Sequence, residues 1–253
     1  MLAALLPAPA NADEPAKAQF QTVKLQTLAK TGAQYDWSKT EFIEALKAGD
    51  GWEVLATSDS AILLRKGKDG PKWEYKSVKI KNCPLSITGM SDTDAFGVIL
   101  DRMASDGYMP CAVNGIGEHT LFKRVKDAKP AKTEFQTLLL ADVIKAKAAP
   151  YERFKEKEFV EALNKQGAEG WEVCVCNYNA VVLQKSPAKW EYKTVKITKS
   201  PLTLSLIDMD KDDEAAAFTF ILEGLEDKGW RPCACDSMGR EILLKRELKK
   251  DNK

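Results

Sequence analysis

One pattern is written four times along this chain, and it restricts the fold more than any other property of the sequence. Each copy has an extended segment, a helix with the spacing Phe-x-x-x-Leu, a glycine followed by a bulky residue, and two short strands ending in apolar and basic residues. The helix anchors are Phe42 and Leu46, Phe96 and Leu100, Phe159 and Leu163, and Phe218 and Leu222. The glycine pairs are Gly51-Trp52, Gly107-Tyr108, Gly170-Trp171 and Gly229-Trp230, and the copies close with LLRK at Leu63, LFKR at Leu121, VLQK at Val182 and LLKR at Leu243. Self-similarity at a regular spacing makes each copy one supersecondary unit whose apolar face needs a neighbour.

The copies alternate between two kinds. KWEYKSVKI from Lys72 recurs as KWEYKTVKI from Lys189, and EFIEAL from Glu41 recurs as EFVEAL from Glu158, both at an offset of 117 (189 − 72 and 158 − 41). An ancestral pair duplicated whole accounts for this. The expected map has a first pair over residues 19–125 (units 19–66 and 72–125), a polar proline-bearing joint at 126–132, and a second pair over 133–246 (units 133–185 and 189–246). A charged tail, 247–253, follows.

Within a unit the helix shows apolar residues at i, i+3, i+4 and i+7, as in Phe96, Ile99, Leu100 and Met103, which is one helix face. Ser38-Lys-Thr-Glu41 fits a capping box at the start of the first helix. The glycines suit the left-handed residue that ends a helix, where a Cβ is penalised. Alternating stretches such as Trp171–Cys176, followed by a turn and Ala180–Leu183, predict a hairpin. The expected fold class is therefore α+β: four β-α-β-β repeats paired into two similar halves, each with one antiparallel sheet covered on one face by helices. Pairing is expected because about 50 residues bury too little surface alone.

The chain begins MLAALLPAPANADEP, where an apolar run precedes Ala10-Asn11-Ala12, a small-x-small pattern like the end of a secretory signal. Residues 1–12 are expected to be a signal peptide remnant, and the protein periplasmic or secreted. With 38 Lys plus Arg against 37 Asp plus Glu, the formal charge of +1 offers no broad field for nucleic acid. No other stretch approaches the ~18 apolar residues of a membrane span.

WEYKxVKI, a helix leading into GAEGWEV at Gly167–Val173, and a closing LLKR resemble the bacterial family called domain of unknown function 4177, most closely in units three and four. That resemblance implies small β-α-β-β domains without assigned catalytic residues. The cysteines and Tyr108 in place of Trp depart from the family pattern.

Six cysteines are the unusual reactive inventory. Cys111, Cys174 and Cys233 share one column of the repeat with Leu55, and Cys176 and Cys235 share another with Val113 and Thr57; Cys83 follows the first strand of unit two. Strand alternation predicts that both sulfurs of each Cys-x-Cys face one buried side. Three readings follow. The cysteines are core residues; or an oxidising compartment pairs Cys83 with Cys111, and Cys174 and Cys176 with Cys233 and Cys235; or Cys174, Cys176, Cys233 and Cys235 hold zinc or copper(I), for which Cys-x-Cys is a poor spacing.

His119, the only histidine, is expected at the surface beside a turn, and no counterpart repeats it. Asp208, Asp210, Asp212 and Asp213 form an acidic run without the glycine and glutamate of an EF-hand. Trp37, in the connector of unit one, is expected to be a partner contact whose loss spares folding. Repetition without repeated catalytic groups predicts a noncatalytic protein. Such a protein would bind a protein or cell-envelope component through connector loops and sheet edges. The rival expectation is a thiol protein that binds a soft metal or exchanges disulfides.

Overall fold

A computed structural model describes residues 18–25, 37, 42, 43, 46, 51–58, 61–67, 70–86, 92–114, 117–144, 154, 157–177, 179–197, 202, 212–236 and 239–249, with the side chains of 212–216 excepted. The proposed signal segment 1–12, the capping box 38–41, Asp208 and Asp210 lie outside them. Among the described residues, twelve strands and four helices are assigned. Unit one holds β1 (Gln19–Lys24), β2 (Trp52–Thr57) and β3 (Ala61–Lys66). Unit two holds β4 (Trp73–Lys79), α1 (Thr93–Ser105), β5 (Met109–Val113) and β6 (His119–Val125). Unit three holds β7 (Phe135–Leu139), a single turn α2 (Leu140–Val143), α3 (Lys157–Ala168), β8 (Trp171–Cys176) and β9 (Ala180–Lys185). Unit four holds β10 (Trp190–Lys196), α4 (Asp212–Glu226), β11 (Arg231–Cys235) and β12 (Glu241–Glu247). In unit one Phe42, Ile43 and Leu46 are helical.

Every unit forms one antiparallel sheet in which its last strand is central: β1-β3-β2, β4-β6-β5, β7-β9-β8 and β10-β12-β11. Both hairpin ends are fixed as the sequence predicts. The junction glycines Gly51, Gly107, Gly170 and Gly229 have φ of 83°, 80°, 85° and 79°. After α1, Gly107 N donates to the Ala104 carbonyl at 2.8 Å and Tyr108 N to the Met103 carbonyl at 2.9 Å, so the last turn's carbonyls are met as the chain reverses into β5. The turn of each hairpin opens on Ser58, Asn114, Asn177 or Asp236, whose side-chain oxygen accepts a backbone N–H across the turn.

The sheets do not merge. Instead of one sheet per half, the described residues form four separate three-stranded sheets. The reason lies in the second strands, where each register with the central strand skips one residue: Leu55 between Val54 and Ala56, Cys111 between Pro110 and Ala112, Cys174 between Val173 and Val175, and Cys233 between Pro232 and Ala234. A bulge bends the strand out of a flat ladder, and Pro110 and Pro232 remove an N–H from it, so these edges meet by side-chain packing rather than by added hydrogen-bond ladders.

Packing then runs in a closed cycle. β2 touches β5, β5 touches β8, β8 touches β11 and β11 touches β2. Outside this inner ring, the three longer helices reach over the first strand of the next unit: α1 onto β7, α3 onto β10 and α4 back onto β1. The cores are shared accordingly. Phe42, Leu46 and Val54 of unit one pack with Tyr75, Cys111 and Leu121 of unit two. Phe96, Leu100 and Phe122 pack with Val175 and Val182 of unit three; Phe159, Leu163 and Val173 with Cys233 and Leu243 of unit four; and Phe218, Leu222 and Trp230 with Phe20, Leu55 and Leu63 of unit one. All eight Phe and Leu anchors are buried. No helix is long and apolar enough to cross a membrane among the described residues.

Candidate functional site

Where the second strands converge, two lysines are taken out of solvent with their partners. Lys123 Nζ of β6 donates to Glu53 Oε1 at 2.7 Å and to the Val54 carbonyl at 3.0 Å. Lys245 Nζ of β12 repeats this on Glu172 Oε1 at 2.7 Å and the Val173 carbonyl at 3.2 Å. Each ammonium also sits over an indole, Lys123 over Trp73 at 5.0 Å and Lys245 over Trp190 at 5.5 Å. The same strands place a tyrosine beside each pair: Val54 N donates to Tyr75 Oη and that hydroxyl donates to the Trp52 carbonyl, while Tyr192 joins Val173 and Trp171 in the same way. One phenol thus satisfies a donor and an acceptor on either side of Glu53 or Glu172.

These charges sense one another. Burial opposes ionisation of Glu53, yet the field and hydrogen bond of Lys123, with Lys245 and Arg65 behind it, hold its carboxyl below the ordinary value. Glu172 is held down by Lys245, Gln184 and Lys123 against the same cost of burial. Burial also works against the charge of Lys245, and Glu172 more than restores it. The cluster is closed at unit four by Arg65, whose Nε donates to Glu226 Oε1 at 2.8 Å. Its arrangement is a neutralised core lock: acids and bases are committed to each other and to backbone carbonyls.

All six cysteines are free thiols. Cys111 and Cys233 donate to the carbonyls of Leu121 and Leu243 at 3.4 and 3.5 Å, and Cys235 to the Thr57 carbonyl at 3.1 Å across the closing junction. Cys176 reaches the Asn177 carbonyl at 3.5 Å, and Cys83 lies 4.0 Å from Thr120 Oγ1. Burial pushes the thiols of Cys111 and Cys233 up to about 12 and raises those of Cys83, Cys174 and Cys176. Thiolate, the metal ligand and nucleophile, is therefore suppressed at all five. Among the described residues, no three His, Cys, Asp or Glu side chains come together in a metal-holding group. The bulges also correct the alternation argument: Cys111, Cys174 and Cys233 are the inserted residues, so Cys-x-Cys here is not a regular strand pair.

Two placements overturn the expectations from sequence. Trp37 is no surface contact; it is 1% exposed and stacks on Phe42 with centroids 5.1 Å apart. Its counterpart in unit three is Phe154, which meets Phe159 at 5.0 Å; the offset of 117 (154 − 37) would have found it. His119 is buried in β6 rather than exposed, as is Glu241 at the equivalent start of β12.

Sequence reasoning missed the surface that stands out. On α4, Ala217, Phe220, Ile221 and Gly224 are exposed at i, i+3, i+4 and i+7, with Phe220 76% and Ile221 42% accessible. The inner face, Phe218 and Leu222, is fully packed. By contrast, the outer face of α3 is Lys157, Glu158, Glu161 and Lys165, and that of α1 includes Asp94, Asp101 and Arg102 beside Val98. The signal was present in FTFILEGL, where apolar residues run all round the helix. The first-strand edges, in turn, are less open than expected. Asn164 of α3 both donates to the Tyr192 carbonyl at 3.1 Å and accepts from Tyr192 N at 2.6 Å on the edge of β10.

Comparison with protein-family models, with curated proteins and with solved structures gives no match.

Proposed function

We propose that this chain is a noncatalytic exported repeat protein, periplasmic or secreted, that binds a protein or cell-envelope component. The observation that carries the reading is the outer face of α4, an apolar stripe on a helix whose opposite face is already buried, so no demand of folding accounts for it. The connector 198–211 leads directly into this helix, which places a variable loop beside the stripe in sequence. Paired charges and protonated thiols in the interior support a structural use of the polar residues there.

The finer organisation belongs to the same proposal. The tyrosine and lysine contacts join unit one to two and unit three to four in the same way. They favour descent from a duplicated pair of units related to domain of unknown function 4177. The alternative, a soft-metal or redox protein using Cys174, Cys176, Cys233 and Cys235, has the nearness of Cys233 and Cys235 to Cys176 in its favour and the raised pKa of Cys174, Cys176 and Cys233 against it.

A photoreactive residue at position 220, with one at Glu161 as control, tests the binding reading in native envelope extract. Crosslinking to one defined component from 220 alone, lost when I221K is added to the photoreactive chain, is expected. Equal yields from both positions, or none, would contradict it.

A further inference from the structure

The seams between units are of two kinds, and the kinds alternate around the ring. Register on the central strands puts Phe20, Tyr75, Phe135 and Tyr192 at one position of the first strands, opposite Arg65, Lys123, Gln184 and Lys245. It puts Val54, Pro110, Val173 and Pro232 at one position of the second strands, opposite Leu64, Phe122, Leu183 and Leu244. Each first-strand ring reaches back to the unit before it.

Where that ring is a phenol, the second strand has an amide for it. Val54 N donates to Tyr75 Oη at 3.0 Å and Val173 N to Tyr192 Oη at 3.0 Å, and both valines are fully buried, so water cannot replace the phenol. Burial pushes both phenols up, so each keeps the proton that it donates to the Trp52 or Trp171 carbonyl. Where the ring is a phenylalanine, the second strand has no such amide. Phe135 packs into the core of unit two, whose residue at the valine position is Pro110, and Phe20 into that of unit four, where it is Pro232. Both prolines are buried and carry no N–H, so an apolar ring is sufficient there and a hydroxyl would find no amide.

Charge follows the same division. Glu53 and Glu172 precede the valines and receive Lys123 and Lys245 of the next unit, whereas Met109 and Arg231 precede the prolines. A valine unit followed by a phenylalanine strand would therefore bury an N–H without an acceptor and a glutamate without its lysine. A proline unit followed by a tyrosine strand would bury a hydroxyl without its donor and set a lysine against methionine or arginine.

We propose that valine with tyrosine and proline with phenylalanine form a recognition code between units, by which the second-strand edge of one unit accepts only a neighbour of the other kind. Discrimination comes from the mismatched case, since a buried polar group left unpaired costs more than a formed bond adds. The code operates whether or not the apolar face of α4 meets a partner.

Urea unfolding of the full chain tests it by changing the seam between units two and three to the other kind. P110V introduces an amide and F135Y a hydroxyl. Each alone is expected to lower the folding equilibrium constant roughly threefold or more, and P110V/F135Y to recover most of the loss because the two new groups meet. In the tyrosine seam, Y75F is expected to lower that constant roughly tenfold and to speed hydrogen exchange at the Val54 amide. Additive losses in P110V and F135Y, or a Y75F chain that keeps both its stability and the protection of that amide, would overturn the proposal.

Discussion

Lys123 and Lys245 each neutralise a carboxylate that folding has largely withdrawn from water, so removing either takes away that carboxylate's closest countercharge. K245A is expected to lower the urea unfolding free energy by about 3 kcal/mol, and a K245M/E172L replacement of the whole pair to cost far less. The pH dependence follows from the carboxyls. Glu53 and Glu172 are depressed below their ordinary 4.5 in the folded chain, so their contribution is complete above that value and is lost as pH falls through the folded pKa. Chemical denaturation should show stability falling below about pH 4.5, with a shallower fall in E53Q/E172Q. For the thiols, Ellman's reagent is expected to find all six in denaturant without reductant and to react slowly with the native chain at pH 8. Fewer than six would mean that disulfides form. Trp37→Ala is expected to cost about 3–5 kcal/mol by emptying its stack on Phe42, where a surface residue would cost almost nothing.

At the scale of the element, the helix and hairpin signals were legible because each is local. A left-handed glycine, a Phe-x-x-x-Leu face and an Asx-type turn residue specify themselves within a few positions. The bulges were not legible, since Leu55 and its cysteine counterparts acquire that role from pairing with β3, β6, β9 and β12, which sequence spacing cannot reveal. Nor was the use of the helices: each of the three longer ones packs on the strand of the next unit as well as on its own. Gly167 records that contact. A Cβ there would come within 2.2 Å of the Trp190 carbonyl oxygen on β10, so G167A is expected to destabilise the chain although alanine is the better helix former. Thermal unfolding should show a lower Tm; an increase would mean that α3 does not rest on β10 as described.

For the molecule as a whole, open repeat arrays leave terminal faces that need capping, and ring closure removes them. Here the apolar face of unit one is covered by unit four through Phe20, Leu55 and Leu63 against Phe218, Leu222 and Trp230. The candidate site was the least legible part of the sequence: Cys-x-Cys drew attention because it was chemically conspicuous, whereas the α4 stripe became visible only once the opposite face was seen to be filled. A double-mutant cycle between Arg65 and Glu226, 161 residues apart, measures the closure itself. R65Q, E226Q and the double variant, unfolded in urea, should give a coupling of about 1 kcal/mol or more, as for a contacting pair. Additivity within about 0.3 kcal/mol would contradict a closed four-unit ring.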